Sequence, residues 1–228
     1  MAMSVPDDVS SDVKQWAAVD EYFATKLVGS DESFNAVLAR NRAAGMPAHD
    51  VSAVQGKMLA LVVEMVQAKR VLEIGTLGGY STLWMARALP PNGRIVTIEA
   101  NDLHAKVARE NIAGAGVADR VEMHVGPALE VFPKLTGPFD LIFIDADKPN
   151  NPSYIRWALK LSRPGTVIIG DNVVRGGAVI DDASEDPTVR GVREFVDIIA
   201  GEPRLRATAI QTVGVKGWDG FLLAVVAG

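Results

Sequence analysis

Oxygen-bearing side chains stand at the ends of two predicted buried strands. The predicted strand 139–145 ends at Asp145, and the predicted strand 167–171 ends at Asp171 and is followed by Asn172. If these strands are neighbours in one sheet, two carboxylates and an amide oxygen meet at one point. Such hard oxygen donors are typical of Mg²⁺ or a similar divalent cation, and they leave coordination positions for water or substrate. We therefore predict that Asp145, Asp171 and Asn172 are metal ligands.

Lys148 follows the first of these carboxylates by three residues. A lysine on such a loop is usually a solvated charge, but the ammonium form is disfavoured beside a dication in a partly closed cleft. Lys148 is therefore a candidate general base. A hydroxyl held by the cation would also become more acidic, so both effects favour proton removal from a substrate hydroxyl. Any one of these acids alone would more often face solvent at a strand end, so the prediction depends on their combination.

A glycine-rich turn carries a second kind of chemistry. Gly75 and Gly79 form the pattern E-x-G-x-x-x-G after the first predicted strand, and they let the backbone approach a ligand closely. The dinucleotide pattern G-x-G-x-x-G does not fit, and no phosphate-loop lysine is present. Glu73 is an acid in an apolar strand, and a cationic amino-acid ligand would offset the cost of burying it. Glu99, at the end of the next strand, suits both hydroxyls of a ribose. Together these residues predict an S-adenosylmethionine site.

The elements that position these residues alternate between strand and helix. Runs of Val, Ile and Leu without polar alternation, separated by helix-length segments, indicate parallel strands covered on both faces of a doubly wound α/β sheet. The last two runs, 205–213 and 221–226, are joined by a short loop, 214–220, so we predict an antiparallel pair. The other predicted strands are 70–74, 94–99, 121–125, 139–145 and 167–171, and the helices between them are 80–89, 103–113, 128–135, 154–161 and 188–200.

Two short helices over residues 12–45 precede the alternating part of the chain. Ser52 and Gln55 have the spacing of a capping box, which predicts a third helix to about Ala68. No repeat or linker interrupts the sequence. We therefore expect a single domain, 1–228, with an N-terminal tail and helices in 1–50 and the core in 51–228.

Composition narrows the class of partner. The 228 residues include 28 acidic and 23 basic side chains, a net charge of -5, which argues against nucleic acid or anionic lipid as a partner. The absence of cysteine excludes disulfides, thiolate zinc sites and a cysteine nucleophile, and it fits a reducing compartment. Residues 1–15 lack the features of a secretory signal, and no apolar stretch is long enough to span a membrane. We expect a cytoplasmic protein that acts on a small molecule.

Three segments together resemble the class I, cation-dependent O-methyltransferases, the family of catechol O-methyltransferase and the caffeoyl-CoA O-methyltransferases with their bacterial members. They are Val71–Ala86, Phe139–Lys148 and Gly170-Asp171-Asn172, and the resemblance runs from about Met46 to Val226. It implies a Rossmann-like methyltransferase sheet of seven strands, mostly parallel, and a homodimer. It also implies Lys148 as the catalytic base beside Asp145. The implied S-adenosylmethionine pocket is lined by Val51 (mainly through its backbone), Glu73, Gly75, Thr76, Ser81, Glu99, Ala128, Asp147 and Tyr154.

Departures from the family pattern concern the methyl acceptor. Asn151 stands where relatives often have tyrosine, and the segment 173–177 lacks the tryptophan that usually follows the Asp-Asn pair. Arg175 in that segment could meet an acidic substrate group, although an exposed arginine is the commoner role. Trp218, predicted in the last loop, could border the acceptor or a dimer contact. The N-terminal helices could form a lid, part of a dimer interface, or both.

We predict methylation of a hydroxyl on a catechol-like or other phenolic small molecule, with S-adenosylmethionine and Mg²⁺, or another divalent cation such as Mn²⁺ or Ca²⁺. One alternative is a methyltransferase for a non-catechol hydroxylated molecule with weak or no metal dependence. Another is a non-catalytic nucleoside-binding protein. Methyl transfer with and without EDTA separates the first two, and any catalysis excludes the third.

Overall fold

The computed structural model describes the backbone of residues 9–228 and the side chains from residue 12 onward. Eight α-helices are assigned within this range, with a π-helical turn, Ala24–Val28, after the first. Short 3₁₀ turns lie at Ala118–Arg120, Phe132–Lys134, Lys148–Asn150 and Arg175–Ile180. The helices are α1 Val9–Phe23, α2 Glu32–Ala43, α3 Ala53–Met65, α4 Tyr80–Ala88, α5 Asp102–Gly114, α6 Ala128–Val131, α7 Asn151–Lys160 and α8 Pro187–Gly201.

A single seven-stranded sheet forms the centre of the fold. Its order is β3-β2-β1-β4-β5-β7-β6, in which β7 runs antiparallel to both of its neighbours and all the other pairs are parallel. The doubly wound sheet with an antiparallel C-terminal hairpin is therefore confirmed. The strands are β1 Arg70–Ile74, β2 Arg94–Glu99, β3 Val121–Val125, β4 Leu141–Ile144, β5 Val167–Asp171, β6 Leu205–Gly214 and β7 Gly217–Val226.

Helices cover both faces of the sheet, which explains the uninterrupted apolar runs. Successive residues of a strand point to opposite faces. Leu72 and Ile74 of β1 pack on the face covered by α7 and α8, where Phe195 is fully buried, whereas Val71 packs on the face covered by α3, α4 and α5. Both faces of the central strands are therefore core, and only the strand ends can present polar side chains to a ligand.

The C-terminal hairpin differs from its prediction. The sequence indicated a loop over 214–220, but β6 and β7 pair as far as Gly214 and Gly217 and leave only Val215 and Lys216 as the turn. Trp218 consequently lies in β7 and not in a loop. Its indole Nε1 donates to the Gln211 side chain at 3.0 Å. The polar and glycine residues that suggested a loop are accommodated because this end of the hairpin is largely exposed.

Several other boundaries moved by a few residues, among them the start of the helix predicted over 154–161, which begins at Asn151. The helix predicted over 128–135 stops at Val131 and continues as a 3₁₀ turn containing Pro133, which cannot donate a helical hydrogen bond. The strand predicted from Phe139 begins at Leu141. None of the described helices is long and apolar enough to span a lipid bilayer.

Candidate functional site

A cavity of about 850 Å³ crosses the carboxyl ends of β2, β1, β4 and β5. Its size lies in the usual range for small-molecule sites, and open α/β sheets bind ligands at this edge. The residues predicted to bind a cofactor come from separate parts of the sequence, and most of them meet here. The members that line the cavity are Val51, Gly75, Thr76, Ser81, Glu99, Ala128, Asp147 and Tyr154.

The turn after β1 touches the end of β4 at Gly75. This residue has a φ of +97°, and a Cβ atom there would lie 2.1 Å from the carbonyl oxygen of Asp145. Any side chain would therefore separate the two strand ends. The glycine brings the cofactor turn directly against the segment that carries Asp145 and Lys148.

Glu73 lies beneath the cavity and does not line it, which differs from the prediction. Its carboxylate is fully buried and accepts hydrogen bonds from Ser81 Oγ at 2.6 Å, from Thr97 Oγ1 at 2.7 Å and from the Thr82 hydroxyl. Burial raises its pKa to about 7, against these hydrogen bonds, which lower it. We expected a cationic ligand to offset the burial of this carboxylate, but its observed partners are hydroxyl groups. Nothing in the sequence distinguished these hydroxyls from others on buried elements.

Glu99 lines the cavity, but most of its hydrogen bonds are already made. Oε2 accepts from the backbone N–H groups of Thr76 at 3.2 Å and Leu77 at 2.8 Å, and Oε1 accepts from that of Asn101 at 2.9 Å. His104 Nδ1 lies 3.5 Å from Oε1. A carboxylate has about four acceptor sites. Glu99 therefore holds the glycine turn and keeps little free capacity for a ribose in this conformation.

The predicted metal ligands and the lysine lie together at the β4 and β5 ends. Lys148 Nζ donates to Asp145 Oδ1 at 3.0 Å, and both residues line the cavity with Asn172. Asp171 is 4% exposed. Burial, and then the charge of nearby Asp145, raise the pKa of Asp171 to about 7. These oxygens fit a divalent cation, because a positive charge between two mutually repelling carboxylates would offset their desolvation.

A metal site here would need the Asn172 amide oxygen in addition to the two carboxylates. Within residues 12–228 no three His, Cys, Asp or Glu side chains are grouped as a metal site. Two carboxylates, an amide oxygen and non-protein ligands therefore suit Mg²⁺, which usually keeps several waters. Asn172 has a φ of +58°, a left-handed conformation that asparagine tolerates better than most residues.

Gln55 joins this centre, although its sequence pattern indicated only a helix cap. Its Nε2 donates to Asp171 Oδ2 at 2.7 Å, while Asp171 Oδ1 accepts from the Asn172 backbone N–H at 2.9 Å. The capping box predicted at Ser52 is half present, since Ser52 Oγ accepts from the Gln55 backbone N–H at 3.2 Å. The Gln55 side chain points to Asp171 instead of back to the helix start. Because Gln55 fits a capping motif, we did not expect its contact with Asp171, which is 116 positions away.

A smaller cavity of about 250 Å³ adjoins the first at Asn172 and Lys216. Met58 of α3 and Phe221 of β7 supply apolar walls, and Gln55 and Asp171 also line this smaller cavity. The hairpin turn is attached above it, because Asp20 of α1 accepts from the Val215 backbone N–H at 2.8 Å and Lys216 Nζ donates to the Ala48 carbonyl at 2.6 Å. The N-terminal helix thus forms part of this wall.

A buried amide network holds the cofactor turn from its other side. Asn111 Nδ2 donates to the Gly78 carbonyl at 2.8 Å and to Asn41 Oδ1 at 2.9 Å, and Asn41 Nδ2 donates to Asp50 Oδ1 at 2.8 Å. These contacts connect α5, the glycine turn and α2. Asparagine is common on the exposed faces of helices, so nothing in the sequence indicated that Asn41 and Asn111 hold this turn.

Fold and site together define a doubly wound α/β protein with a small-molecule site at the strand ends, in which a lysine and two carboxylates adjoin a nucleoside-sized cavity. The family model described as O-methyltransferase matches residues 32–225. The chain is 54% identical over 209 residues to the catechol O-methyltransferase of Mycobacterium tuberculosis, which covers 91% of this chain and 94% of that protein.

Solved structures of O-methyltransferases also resemble this chain. The O-methyltransferase of Bacillus cereus, in complex with SAH, superposes with a TM-score of 0.93 at 57% identity over 94% of this chain and 99% of that one. The O-methyltransferase TomG of Streptomyces achromogenes, involved in tomaymycin synthesis and solved with SAM, gives 0.92 at 52% identity over 95% and 99%. The chain belongs to the class I O-methyltransferase family, as its sequence predicted, and is an S-adenosylmethionine-dependent O-methyltransferase.

Proposed function

We propose that this enzyme methylates a hydroxyl of a catechol-like phenolic molecule and depends on a divalent cation. The observation that carries the proposal is the meeting of Asp145, Asp171 and Lys148 beside the large cavity, with Lys148 Nζ 3.0 Å from Asp145 Oδ1. The name of the M. tuberculosis relative, catechol O-methyltransferase, supports the same acceptor class.

Two bound groups supply the reactivity. S-adenosylmethionine brings a methyl group on a positively charged sulfur, and a divalent cation acts as a Lewis acid that holds hydroxyl oxygens and acidifies their protons. We propose Asp145, Asp171 and Asn172 as the residues that would hold Mg²⁺, or Mn²⁺ or Ca²⁺ in its place.

The protein contributes a base and an alignment. In this proposal Lys148 Nζ takes the hydroxyl proton, and Asp145 orients that amine through its hydrogen bond. Lys148 is 7% exposed, so little bulk water reaches it. Ser81, Asp147 and Tyr154 would hold the cofactor, with the Tyr154 hydroxyl fixed by Asp147. Glu99 would shape the pocket by holding the glycine turn. Holding two reactants in line can contribute about 7–11 kcal/mol, so positioning should supply much of the rate enhancement.

A metal-independent enzyme is the second candidate, and one observation favours it. Each acid of the centre already has protein partners, since Asp145 pairs with Lys148 and Asp171 accepts from Gln55 and Asn172. A centre satisfied in this way could bind a single hydroxyl without a cation. That candidate predicts activity on monophenols that EDTA does not change.

Methyl transfer from labelled S-adenosylmethionine distinguishes the two candidates. Catechol and phenol are each assayed with Mg²⁺ and with EDTA. The proposal expects turnover of catechol that EDTA removes and added Mg²⁺ restores. Equal turnover in EDTA supports the metal-independent enzyme, and an inactive protein with both substrates and with Mn²⁺ or Ca²⁺ contradicts the proposed acceptor class.

The homodimer and the cytoplasmic location stay predictions. Exposed apolar side chains on α1 and the π-helical turn support a self-association surface, among them Val19 at 47% exposure and Leu27 at 70%. Light scattering after size-exclusion chromatography should give about twice the chain mass of 24.3 kDa if the dimer forms.

A further inference from the structure

Arg175 lies at the acceptor end of the large cavity. Glu99 is the last residue of β2 and Arg175 follows β5, and β1 and β4 lie between those strands. Three inter-strand spacings of about 4.8 Å separate the two ends by roughly 14 Å. A nucleoside beside Glu99 therefore leaves the Arg175 end to the second substrate, next to Lys148.

The Arg175 guanidinium lacks a full set of partners. Its Nε is buried and has no hydrogen-bond partner among the described residues. Within the same part of the chain, its only side-chain hydrogen bond is from Nη2 to Thr188 Oγ1 at 3.5 Å, the outer limit of such a contact. Among side chains from residue 12 onward, no carboxylate forms an ion pair with Arg175 within 4.0 Å. A buried charged donor without an acceptor is costly, which indicates that an acceptor arrives with a ligand.

The backbone at this position is held in an unusual conformation. Arg175 has a φ of +57°, where glycine or asparagine would be expected. Asp219 Oδ1 stabilises it by accepting from the backbone N–H groups of Val174 at 3.0 Å and Arg175 at 3.1 Å. A strained arginine kept by a dedicated carboxylate points to a use for its side chain.

Other charges at this end are already engaged. Lys148 pairs with Asp145, and Lys216 donates to the Ala48 carbonyl. Hydrogen bonds from Thr188 lower the pKa of Asp186, and the charge of Arg175 adds to this. No ion pair within 4.0 Å joins Asp186 and Arg175 among the described residues. In a protein of net charge -5, Arg175 is the cation of this cavity end that is not engaged with a protein carboxylate or carbonyl within the described residues.

We infer that Arg175 determines acceptor specificity by binding a carboxylate on the aromatic substrate, so that the preferred acceptors are carboxylated catechols. The inference rests on the proposed catechol methylation and names a narrower substrate class. The planar guanidinium matches a carboxylate with two parallel hydrogen bonds, which lysine cannot reproduce.

The test compares two acceptors that differ in charge at one group, 3,4-dihydroxybenzoate and 3,4-dihydroxybenzamide. Values of kcat/KM with Mg²⁺ are measured for wild type, Arg175→Gln and Arg175→Lys, and for Arg190→Gln as the matched control. Arg190 is exposed on α8 and does not line the cavity. The benzoate-to-benzamide ratio cancels differences in intrinsic reactivity and any general loss of activity.

We expect Arg175→Gln to lower that ratio roughly 10- to 100-fold, the range for a lost hydrogen bond to a charged group. Arg175→Lys should lower it less, and Arg190→Gln should leave it unchanged. An equal ratio in wild type and Arg175→Gln overturns the inference, as does an equal fall in the control.

Binding provides a readout that does not depend on turnover. Calorimetric titration of 3,4-dihydroxybenzoate into the SAH-saturated protein with Mg²⁺ should give a weaker Kd for Arg175→Gln by the same range. If neither acceptor is methylated by wild type, the proposed function is contradicted, and this titration still decides the role of Arg175. An unchanged Kd in the variant overturns it.

Discussion

The partners of the Glu73 carboxyl group differ from those that its position in an apolar strand suggested. An acid in an apolar strand suggested a cationic ligand, but three hydroxyl groups surround it. Sequence alone recognised that the acid needed partners. It could not say which ones, because Ser81, Thr82 and Thr97 reach Glu73 only after the strand and helix have packed.

Glu73 should make stability depend on pH. Its pKa rises from 4.5 to about 7 on folding, so the folded state holds the proton more tightly. The stabilisation is fully present below pH 4.5 and is lost as the pH rises through about 7, by at most about 3 kcal/mol. Glu73→Gln should remove this loss. Urea unfolding from pH 4.5 to 8 measures it, with exposed Glu64→Gln as control, and parallel profiles for wild type and Glu73→Gln would contradict the prediction.

Gln55 should position Asp171 for the cation. Gln55→Leu removes the 2.7 Å hydrogen bond to Asp171 Oδ2 and leaves the cavity wall in place. We expect the Mg²⁺ concentration for half-maximal activity to rise about tenfold, in line with the usual effect of removing a partner of a ligating carboxylate. Calorimetric affinity for SAH should not change. Initial rates over a Mg²⁺ series measure the effect.

An effect on the start of α3 can be separated from the effect of Gln55 on Asp171. Ser52→Ala removes the hydrogen bond that begins α3 but keeps the Gln55 side chain. It should lower stability by about 1 kcal/mol without moving the Mg²⁺ midpoint. If both variants shift that midpoint equally, Gln55 acts only through the helix.

The helices before the sheet hold the cofactor turn in place. The contact of α2 with that turn runs through Asn41 and Asn111, both almost fully buried, to the Gly78 carbonyl. Periodicity predicted these helices and their apolar faces. It could not predict the network, because asparagine is common at helix ends and exposed positions, and its partners lie 70 and 33 residues away from Asn111.

Asn41→Ala should weaken the contact between α2 and the glycine turn. The change removes the hydrogen bond that Asp50 accepts from Asn41 and one of the hydrogen bonds that Asn111 donates, which should lower the free energy of unfolding by about 2 kcal/mol. The affinity for SAH should also fall, since Gly78 loses its indirect support. Exposed Arg42→Ala on the same helix is the control. Urea unfolding and SAH titration check both effects, and a variant with wild-type affinity would show that α2 does not position the turn.

For the molecule as a whole, the sheet order explains why sequence reasoning succeeded where it did. Parallel strands present their carboxyl ends at one edge, so acids at the ends of β4 and β5 had to meet once those strands paired. The same rule placed Gly75 and Glu99 in the cavity. Residues of the preceding helices and of the C-terminal hairpin, such as Gln55, Asn41 and Asp219, were missed because no periodic pattern determines where a helix or hairpin is docked.

The paired acids of β4 and β5 should also limit the stability of the metal-free protein. Asp171 is buried near Asp145, and their repulsion favours a proton or a cation between them. Asp171→Asn removes one charge but keeps the shape, so the metal-free variant should unfold at an equal or higher temperature than wild type. A cation at a hundred times its Kd stabilises the folded state by about 2.7 kcal/mol, so Mg²⁺ should raise the wild-type Tm by several degrees and leave the variant unchanged.

Differential scanning calorimetry with EDTA and with a Mg²⁺ series measures both effects on the same preparations. Asp182→Asn, an exposed acid in the loop before α8, is the matched control and should keep the wild-type response to Mg²⁺. An equal rise of Tm in Asp171→Asn would place the cation elsewhere, and no rise in wild type would argue against a cation site at these strand ends. Because folding is measured without acceptor or methyl donor, the result judges the cation site independently of whether the substrate class is right.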